Sequence, residues 1–250
     1  DNKNIDKKLN DLGLSQDIYE NLKDILKFTQ GLILISGPTG SGKTTTLYSI
    51  LKELNSDDKK IITVEDPIEY KIDSINQVPI NNKVGLSFEL VLKNILRQDP
   101  DIIFIGEIRD KFSLDIALQA SLTGHLVLAS IHASSSVETI TRLIDLKADP
   151  FLISTTLKAV MAQRLVLAHC KSCENGCKKC NFTKFYDRTS ISEILKVDEQ
   201  ISSLIFNKAS FNELKEYLKN INFKTMLDDG KQKVKDGLTT LEEVYKVVNF

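Results

Sequence analysis

The sequence predicts an α/β protein built around a mostly parallel β-sheet. Short apolar runs, typical of strands buried on both faces, occur at residues 32–35, 61–64, 102–105 and 126–128. Helical patterns separate them, at residues 44–54, 87–96, 112–122 and 137–146. Strands that alternate with helices are typical of parallel sheets, which bind ligands at the carboxyl ends of their strands.

The composition is that of an ordinary soluble globular protein. Of its 250 residues, 42% are hydrophobic and 27% are charged, which is enough to build a real core. The formal net charge of −1 argues against a protein that coats nucleic acid, since such proteins carry a basic excess. No run approaches the ~20 apolar residues of a membrane span. Because the chain begins at Asp1, we expect it to be a fragment of a longer protein.

The segment after the first apolar run reads GPTGSGKT and satisfies G-x-x-x-x-G-K-[ST], the loop that cradles nucleotide phosphates. Glycines let successive backbone N–H groups turn inward around phosphate oxygens, and the following helix adds its positive end. Lys43 supplies a mobile charge for the β- and γ-phosphates of ATP, and the Thr44 hydroxyl is the expected Mg²⁺ ligand. A glycine turn that binds nothing is the alternative, but the motif lies between a predicted strand and a predicted helix. The predicted nucleotide-binding residues are Gly37, Pro38, Thr39, Gly40, Ser41, Gly42, Lys43, Thr44 and Thr45.

Acidic residues follow two other predicted strands. Glu107 ends the third run, and we expect it to activate the attacking water or to position Mg²⁺; the alternative is a simple ion pair with Arg109. Glu65 and Glu69 follow the second run, in a cluster that by itself is more typical of a solvated turn. In a parallel sheet this turn lies at the same edge as Glu107, so both glutamates are candidate catalytic residues, with Glu69 as the alternative base.

Two histidines bracket the apolar run that begins at residue 126. His132 lies just past its end, where we predict that it senses the γ-phosphate. His125 precedes the run, and a packed or solvated histidine is an equally good interpretation there.

All four cysteines form one cluster, with the spacing C-x2-C-x3-C-x2-C. Two such C-x-x-C pairs indicate a closed structural site in which Cys170, Cys173, Cys177 and Cys180 bind Zn²⁺ as thiolates. The clustering also favours a reducing compartment, so we place the protein in a cytoplasm. The spacer of three residues is short, which leaves a redox dithiol or a degenerate relic as alternatives. We expect His169 to be a neighbour of this site rather than a ligand.

The sequence divides into three predicted parts. Residues 1–168 are an ATPase core of the RecA-like P-loop NTPase type, with Ser15 as the N-cap of its first helix. The last helical pattern predicted within residues 1–168 ends at residue 163. Residues 169–181 are the zinc element, and residues 182–250 are a small, mainly helical subdomain with helical periodicity from residue 201.

These motifs resemble those of the secretion-motor ATPases of type II secretion and type IV pilus assembly, the GspE and PilB group. The resemblance extends from about residue 12 to residue 248 and rests on four motifs in the family's order. They are residues 37–48, which resemble Walker A, residues 63–70 (the Asp box), residues 96–110 (Walker B) and residues 123–132 (the His box). Residues 162–165 then precede the cysteines, as the family expects.

The resemblance implies an ATP-hydrolysing cytoplasmic motor, peripheral to the bacterial inner membrane. It implies a hexamer that docks on an inner-membrane platform protein and on adaptor proteins, serving protein secretion, pilus biogenesis or DNA uptake. The cysteines favour an assembly motor over a retraction motor. Two features depart from the family's pattern: the short cysteine spacer, and Ala133-Ser134 where Thr-Asn is common. The family's N-terminal domain, which contributes arginines to the nucleotide, is not part of this chain.

Two other functions use similar motifs. A RecA-like DNA motor shares the phosphate loop and the carboxylate, but the near-zero net charge disfavours it, and we expect no direct contact with nucleic acid. A nucleotide-gated scaffold would bind ATP without turnover, and the full set of carboxylates disfavours that reading.

Overall fold

The computed structural model describes residues 7–248, and its centre is a seven-stranded β-sheet. The strands are β1 (Gly31–Ser36), β2 (Ile61–Glu65), β3 (Asn76–Pro79), β4 (Ile102–Ile108), β5 (Leu126–Ile131), β6 (Leu157–His169) and β7 (Phe185–Lys196). Their order across the sheet is β3-β2-β4-β5-β1-β6-β7. Neighbouring strands run parallel except β6 and β7, which pair antiparallel, so the predicted α/β fold with a mostly parallel sheet is confirmed.

Helices cover both faces of this sheet. They are α1 (Gln16–Ile25), α2 (Lys43–Leu54), α3 (Phe88–Ile95), α4 (Lys111–Leu122), α5 (Ser136–Asp145), α6 (Pro150–Thr156), α7 (Glu199–Phe206), α8 (Phe211–Asn220), α9 (Met226–Lys235) and α10 (Leu241–Val247). Helices α1 and α2 pack on one face, α3 to α8 pack on the other, and α9 and α10 pack on β6 and β7. Within residues 7–248, none of the helices combines the length and the apolar character needed to cross a membrane.

The central strand β1 shows why its sequence is continuously apolar. Leu32 and Leu34 belong to the core beneath α3 to α8, whereas Ile33 and Ile35 belong to the core beneath α1 and α2. All four side chains are fully buried. A strand between two helical layers has no solvent face, so it has no polar positions to alternate with apolar ones.

The structure corrects the sequence prediction at strands β6 and β7, and it contains one strand, β3, that was not predicted. The helix predicted to extend to residue 163 is wrong, because α6 ends at Thr156 and β6 begins at the next residue. A strand buried on both faces cannot be distinguished from a buried helix by periodicity. Residues 185–196, which the prediction assigned to the mainly helical C-terminal part, form β7 of the main sheet. Residues 189–195 are buried and include Ser190, Ser192 and Glu193, which interrupt the apolar pattern. The edge strand β3 has no apolar run at all.

A buried ion pair ties α9 to the segment before α1. Lys233 is 2% exposed, and its Nζ donates to the carbonyl of Gly13 at 2.6 Å and to the carbonyl of Ser190. The Asp229 carboxylate lies 3.6 Å from the same nitrogen and accepts a hydrogen bond from the Ser15 hydroxyl. Ser15 therefore occupies the N-cap position of α1 as predicted, but its hydroxyl binds Asp229 rather than capping the helix.

Candidate functional site

A cleft of about 930 Å³ opens at the carboxyl edge of the parallel strands. It is lined by the loop between β1 and α2, by the acidic loop after β2, by the end of β4 and by His132 directly after β5. The structure thus brings together the glycine-rich loop, the acidic cluster, Glu107 and His132, which the sequence predicted separately.

The glycine-rich loop wraps the first turn of α2. Gly42 is the N-cap of this helix and has a φ of +87°, a conformation that favours glycine. The Lys43 ammonium reaches back over the loop and donates to the carbonyls of Gly37 at 2.7 Å and Pro38 at 3.0 Å. Burial lowers the pKa of Lys43, while the nearby Glu107 carboxylate partly opposes that shift. The loop therefore presents a helix N-terminus and a cation to the cleft, which suits a phosphate.

Strand β6 forms the wall behind the glycine-rich loop. The Gln163 side chain is 1% exposed, and its Nε2 donates to the Ser41 carbonyl at 2.7 Å. Its Oε1 accepts a hydrogen bond from the Thr46 hydroxyl at 2.9 Å. A Cβ at Gly37 would lie 2.3 Å from Ser41 Oγ and 2.7 Å from the Gln163 carbonyl oxygen, so only glycine fits there.

Glu107 is the centre of a three-residue contact at the end of β4. One carboxylate oxygen lies 2.7 Å from His132 Nε2, and the other accepts a hydrogen bond from Arg109 Nε at 2.5 Å. This hydrogen bond raises the pKa of Arg109. The pairing with β5 shifts register between Ile105 and Ile108, so the strand is irregular where Glu107 leaves it. The geometry is therefore compatible with both interpretations of Glu107, as a catalytic carboxylate and as the ion-pair partner of Arg109, since the side chain pairs with Arg109 and also lines the cleft.

Glu65 lies beneath the acidic loop and has several hydrogen-bond donors. Its side chain is 3% exposed, and it accepts hydrogen bonds from the hydroxyl of Tyr48, from the hydroxyl of Thr63 at 2.5 Å and from Gln77 Nε2 at 3.2 Å. Burial and then the contact with Glu65 raise the pKa of Tyr48. Glu69 differs from Glu65, since it is an exposed residue of the cleft wall whose backbone N–H donates to the Tyr48 hydroxyl at 3.2 Å.

His125 lies at the opposite end of β5 from His132. Its Nδ1 is 3.0 Å from the Ala120 carbonyl and 3.3 Å from the Thr123 hydroxyl. These contacts are those of a packed histidine at the end of α4, away from the cleft.

The four cysteine sulfurs form a compact cluster at the tip of the β6–β7 hairpin. The Sγ atoms of Cys170 and Cys177 are 4.0 Å apart, those of Cys173 and Cys180 3.6 Å, and those of Cys177 and Cys180 3.8 Å; all four lie within 4.8 Å of one another. A tetrahedral Zn²⁺ with Zn–S bonds of ~2.3 Å needs sulfurs ~3.8 Å apart, so the cluster fits this ion. The Cys177 N–H donates to Cys180 Sγ at 3.2 Å and lowers the pKa of Cys180 to about 6, which favours the thiolate that binds metal.

Tight turns allow the short cysteine spacer to close. Gly176 has a φ of +99°, and a Cβ there would lie 2.9 Å from the Phe182 carbonyl oxygen. His169 is outside the cluster, because its Nδ1 lies 2.8 Å from the Gly237 carbonyl and its ring stacks on Phe185. Among the residues that the structure describes, only the four cysteines form a candidate metal cluster.

The contacts that Gln163 and Arg164 make at the site were not predicted from the sequence. Arg164, 8% exposed, donates to the Ser134 carbonyl at 3.2 Å and so supports the loop that follows His132. Gln163 ends the last predicted helical pattern, and Arg164 directly follows it. Two adjacent polar residues inside an apolar segment were the available signal, since buried polar side chains need partners.

Comparisons with known proteins agree with this geometry. The family model described as "Type II/IV secretion system protein" matches residues 1–246. The chain is 41% identical to type II secretion system protein HxcR of Pseudomonas aeruginosa, covering 96% of this chain and 53% of that protein. It is 42% identical to type II secretion system ATPase E of Vibrio cholerae (96% and 52%) and 40% identical to type IV pilus assembly ATPase PilB of Thermus thermophilus (95% and 30%). The chain thus spans about half the length of the first two relatives and less of the third.

Solved structures show the same fold. The pilus retraction motor PilT with bound ADP superimposes with a TM-score of 0.80 and 30% identity, covering 98% of this chain and 67% of that one. The ATPase DotB of Legionella pneumophila gives a TM-score of 0.76 at 27% identity, with 96% and 65% covered. With the family model matched over nearly the whole sequence and the resemblance of its motifs confirmed, this chain belongs to the type II/IV secretion system ATPase family.

Proposed function

We propose that this chain is the motor domain of an ATPase that hydrolyses ATP to ADP and phosphate. The work it powers is the assembly of a type II secretion pseudopilus or a type IV pilus. The observation that carries the proposal is the pair formed by Glu107 and His132, 2.7 Å apart, in the same cleft as the glycine-rich loop. A carboxylate and an imidazole beside a phosphate cradle suit hydrolysis better than storage of a nucleotide.

The glycine-rich loop holds the phosphates in this proposal. Its backbone N–H groups and the N-terminus of α2 bind phosphate oxygens, and the Lys43 ammonium exchanges its carbonyl partners for the β- and γ-phosphates. Mg²⁺, held through the Thr44 hydroxyl, would neutralise charge on the phosphates when it is bound. Thr45 and the other residues of the segment 37–45 shape the loop.

Glu107 acts on the attacking water. The water oxygen forms a bond to the γ-phosphorus, its proton passes to the Glu107 carboxylate, and the bond to the β–γ bridging oxygen breaks as ADP leaves. His132 holds one oxygen of Glu107 and faces the γ-phosphate. Glu69 is the alternative base because its exposed side chain lines the same cleft. Glu65 also borders the cleft, but it is buried and supports the acidic loop through Tyr48.

We further propose that Cys170, Cys173, Cys177 and Cys180 bind one structural Zn²⁺. The sulfur separations suit a tetrahedral ion, and the loop between the strands has little apolar surface of its own.

The proposed setting is the cytoplasm, at the inner face of the bacterial inner membrane. There the protein forms a hexamer and docks on platform and adaptor proteins of its machine, without contacting nucleic acid. The similarity to type II secretion and type IV pilus ATPases supports this setting.

Two substitutions separate nucleotide binding from turnover. Glu107→Gln should keep ATP affinity while phosphate release falls by roughly 10²-fold or more, within the range for general bases. Lys43→Ala should lose most ATP affinity, because it removes the half-buried cation that meets the phosphates. Calorimetry measures binding, and a steady-state phosphate assay measures turnover.

Glu69→Gln is the matched control in the same cleft, and Glu89→Gln is the control on an exposed helix face. Wild-type turnover in Glu107→Gln, with loss of turnover in Glu69→Gln, would move the base to the acidic loop. Unchanged ATP binding in Lys43→Ala would overturn the assignment of the loop. If the unmodified protein bound ATP and released no phosphate, the scaffold function would replace the motor.

A further inference from the structure

One buried amide connects the sheet to both parts of the glycine-rich loop. Gln163 lies on β6, and its side chain bridges the Ser41 carbonyl in the loop and the Thr46 hydroxyl one turn into α2. Gln163 and Thr46 are 1% and 2% exposed, so neither group can turn to water instead. Because the Thr46 hydroxyl donates to Oε1, the amide nitrogen is directed at the Ser41 carbonyl.

This tether sets the orientation of a peptide plane that faces the cleft. The Ser41–Gly42 peptide is trans, so its carbonyl and its N–H point in opposite directions. The carbonyl is drawn back towards β6 by Gln163, and the Gly42 N–H therefore points away from the sheet. Gly42 is also the N-cap of α2, where backbone N–H groups bind anions.

We propose that Gln163 is a positioning residue for phosphate binding, which holds the Ser41 carbonyl away from the nucleotide and thereby aims the Gly42 N–H at a phosphate oxygen. The inference rests on the function proposed above and assigns to β6 a part in substrate binding. Without the tether, the Ser41–Gly42 peptide can rotate, and a carbonyl oxygen in the cleft repels the phosphate that the N–H attracts.

The chemistry of the site separates this role from simple packing. Methionine at position 163 fills a similar volume but donates no hydrogen bond to Ser41. Glutamate keeps the shape of glutamine but opposes the Ser41 carbonyl with a second acceptor. If Gln163 only fills space, Gln163→Met is nearly neutral for binding; if it aims the peptide, both variants lose affinity for phosphate.

The test measures ADP binding in Gln163→Met and Gln163→Glu, together with NMR of protein labelled with ¹⁵N-glycine. With 11 glycines in the chain, the Gly42 amide can be assigned from a Gly42→Ala spectrum. We expect ADP affinity to fall by about tenfold or more, the range for a hydrogen bond to a charged group. The KM for ATP should rise by a similar factor with a smaller change in kcat, because a ground-state phosphate contact contributes uniform binding.

Ser192→Ala is the matched control. Ser192 faces Gln163 across the β6–β7 pairing, is fully buried, and its hydroxyl bonds Ser190 rather than the loop. It should lose some stability while ADP affinity stays that of the wild type. In the wild type and the control, the Gly42 amide resonance should move on addition of ADP; in the Gln163 variants that shift should be much smaller.

The outcomes distinguish this inference from the proposed function. If ADP moves the Gly42 resonance equally in the wild type and in Gln163→Met, with equal affinity, the positioning role is wrong and nucleotide binding stands. If ADP does not bind the wild-type protein, the proposed function and this inference both fail. If Gln163→Met does not fold, Gln163→Glu decides the question, since it also removes the hydrogen bond to the Ser41 carbonyl; unchanged ADP affinity in that variant would overturn the inference.

Discussion

The buried Asp229–Lys233 ion pair of α9, which is hydrogen-bonded to the segment before α1, allows a quantitative test of the fold. Replacing Lys233 by methionine keeps most of the side-chain volume and removes the charge. Lys233 is 2% exposed and donates to the carbonyls of Gly13 and Ser190, so both carbonyls lose this donor, while Gly13 keeps a hydrogen bond from the Thr189 hydroxyl at 3.2 Å. Asp229, 8% exposed, loses its cation but keeps hydrogen bonds from Ser15 and from the Ser192 N–H at 2.8 Å.

The expected loss in the free energy of unfolding is ~3–5 kcal/mol, the range for breaking a buried ion pair by removing one partner. The value should lie near the lower end, because burial already raises the pKa of Asp229 and the carboxyl can take up a proton. A raised pKa means that the native state binds more protons than the unfolded state, so this group lowers stability as pH rises. The difference between Lys233→Met and wild type should therefore shrink as pH falls.

Urea denaturation followed by circular dichroism measures the loss, with the slope of the transition checked for two-state behaviour. Lys231→Met, at an exposed position of the same helix, should stay within ~0.5 kcal/mol of wild type. The double variant Asp229→Asn/Lys233→Met should recover a large part of the loss, because no charge is left unpaired. A Lys233→Met protein within ~1 kcal/mol of wild type at neutral pH would refute this account of the ion pair.

Two further predictions concern the candidate sites. Protein purified without chelator should contain about one zinc per chain, and Cys173→Ser should lower that content. In this variant residues 170–183 should exchange their amide hydrogens faster, while the main sheet stays protected. Metal-free wild-type protein with titratable thiols would contradict the zinc site. Gly37→Ala should reduce ADP affinity by at least about tenfold, since its Cβ would lie 2.3 Å from Ser41 Oγ and displace the loop. Wild-type affinity in that variant, measured by calorimetry, would show that the loop adapts.

The features predicted correctly from sequence are those that depend on neighbouring residues. The glycine-rich loop, its strand and its helix are contiguous, and the sheet edge follows from strands that alternate with helices. The convergence of Glu107 and His132 could be expected because each follows a strand of the same sheet. Their 2.7 Å contact, and the second contact of Glu107 with Arg109, depend on side-chain directions that a pattern does not contain.

The features that were missed depend on distant residues. The burial of Glu65 was missed because it depends on Tyr48, which lies 17 residues earlier and donates a hydrogen bond to its carboxylate. Strand β6 was predicted partly as helix because its neighbours β1 and β7, not its own periodicity, determine its conformation. Nothing near Gly13 indicates that its carbonyl binds a lysine 220 residues later.

That last contact has a consequence for how the protein is made. The segment before α1 leaves the ribosome before its partner does, because the lysine that binds Gly13 follows 220 residues later. At the ~5–20 residues per second of synthesis, the wait is roughly 10–45 s. During that time the carbonyl of Gly13 and the hydroxyl of Ser15 lack these native partners, so this segment becomes fully resistant to proteases only after α9 has been synthesised.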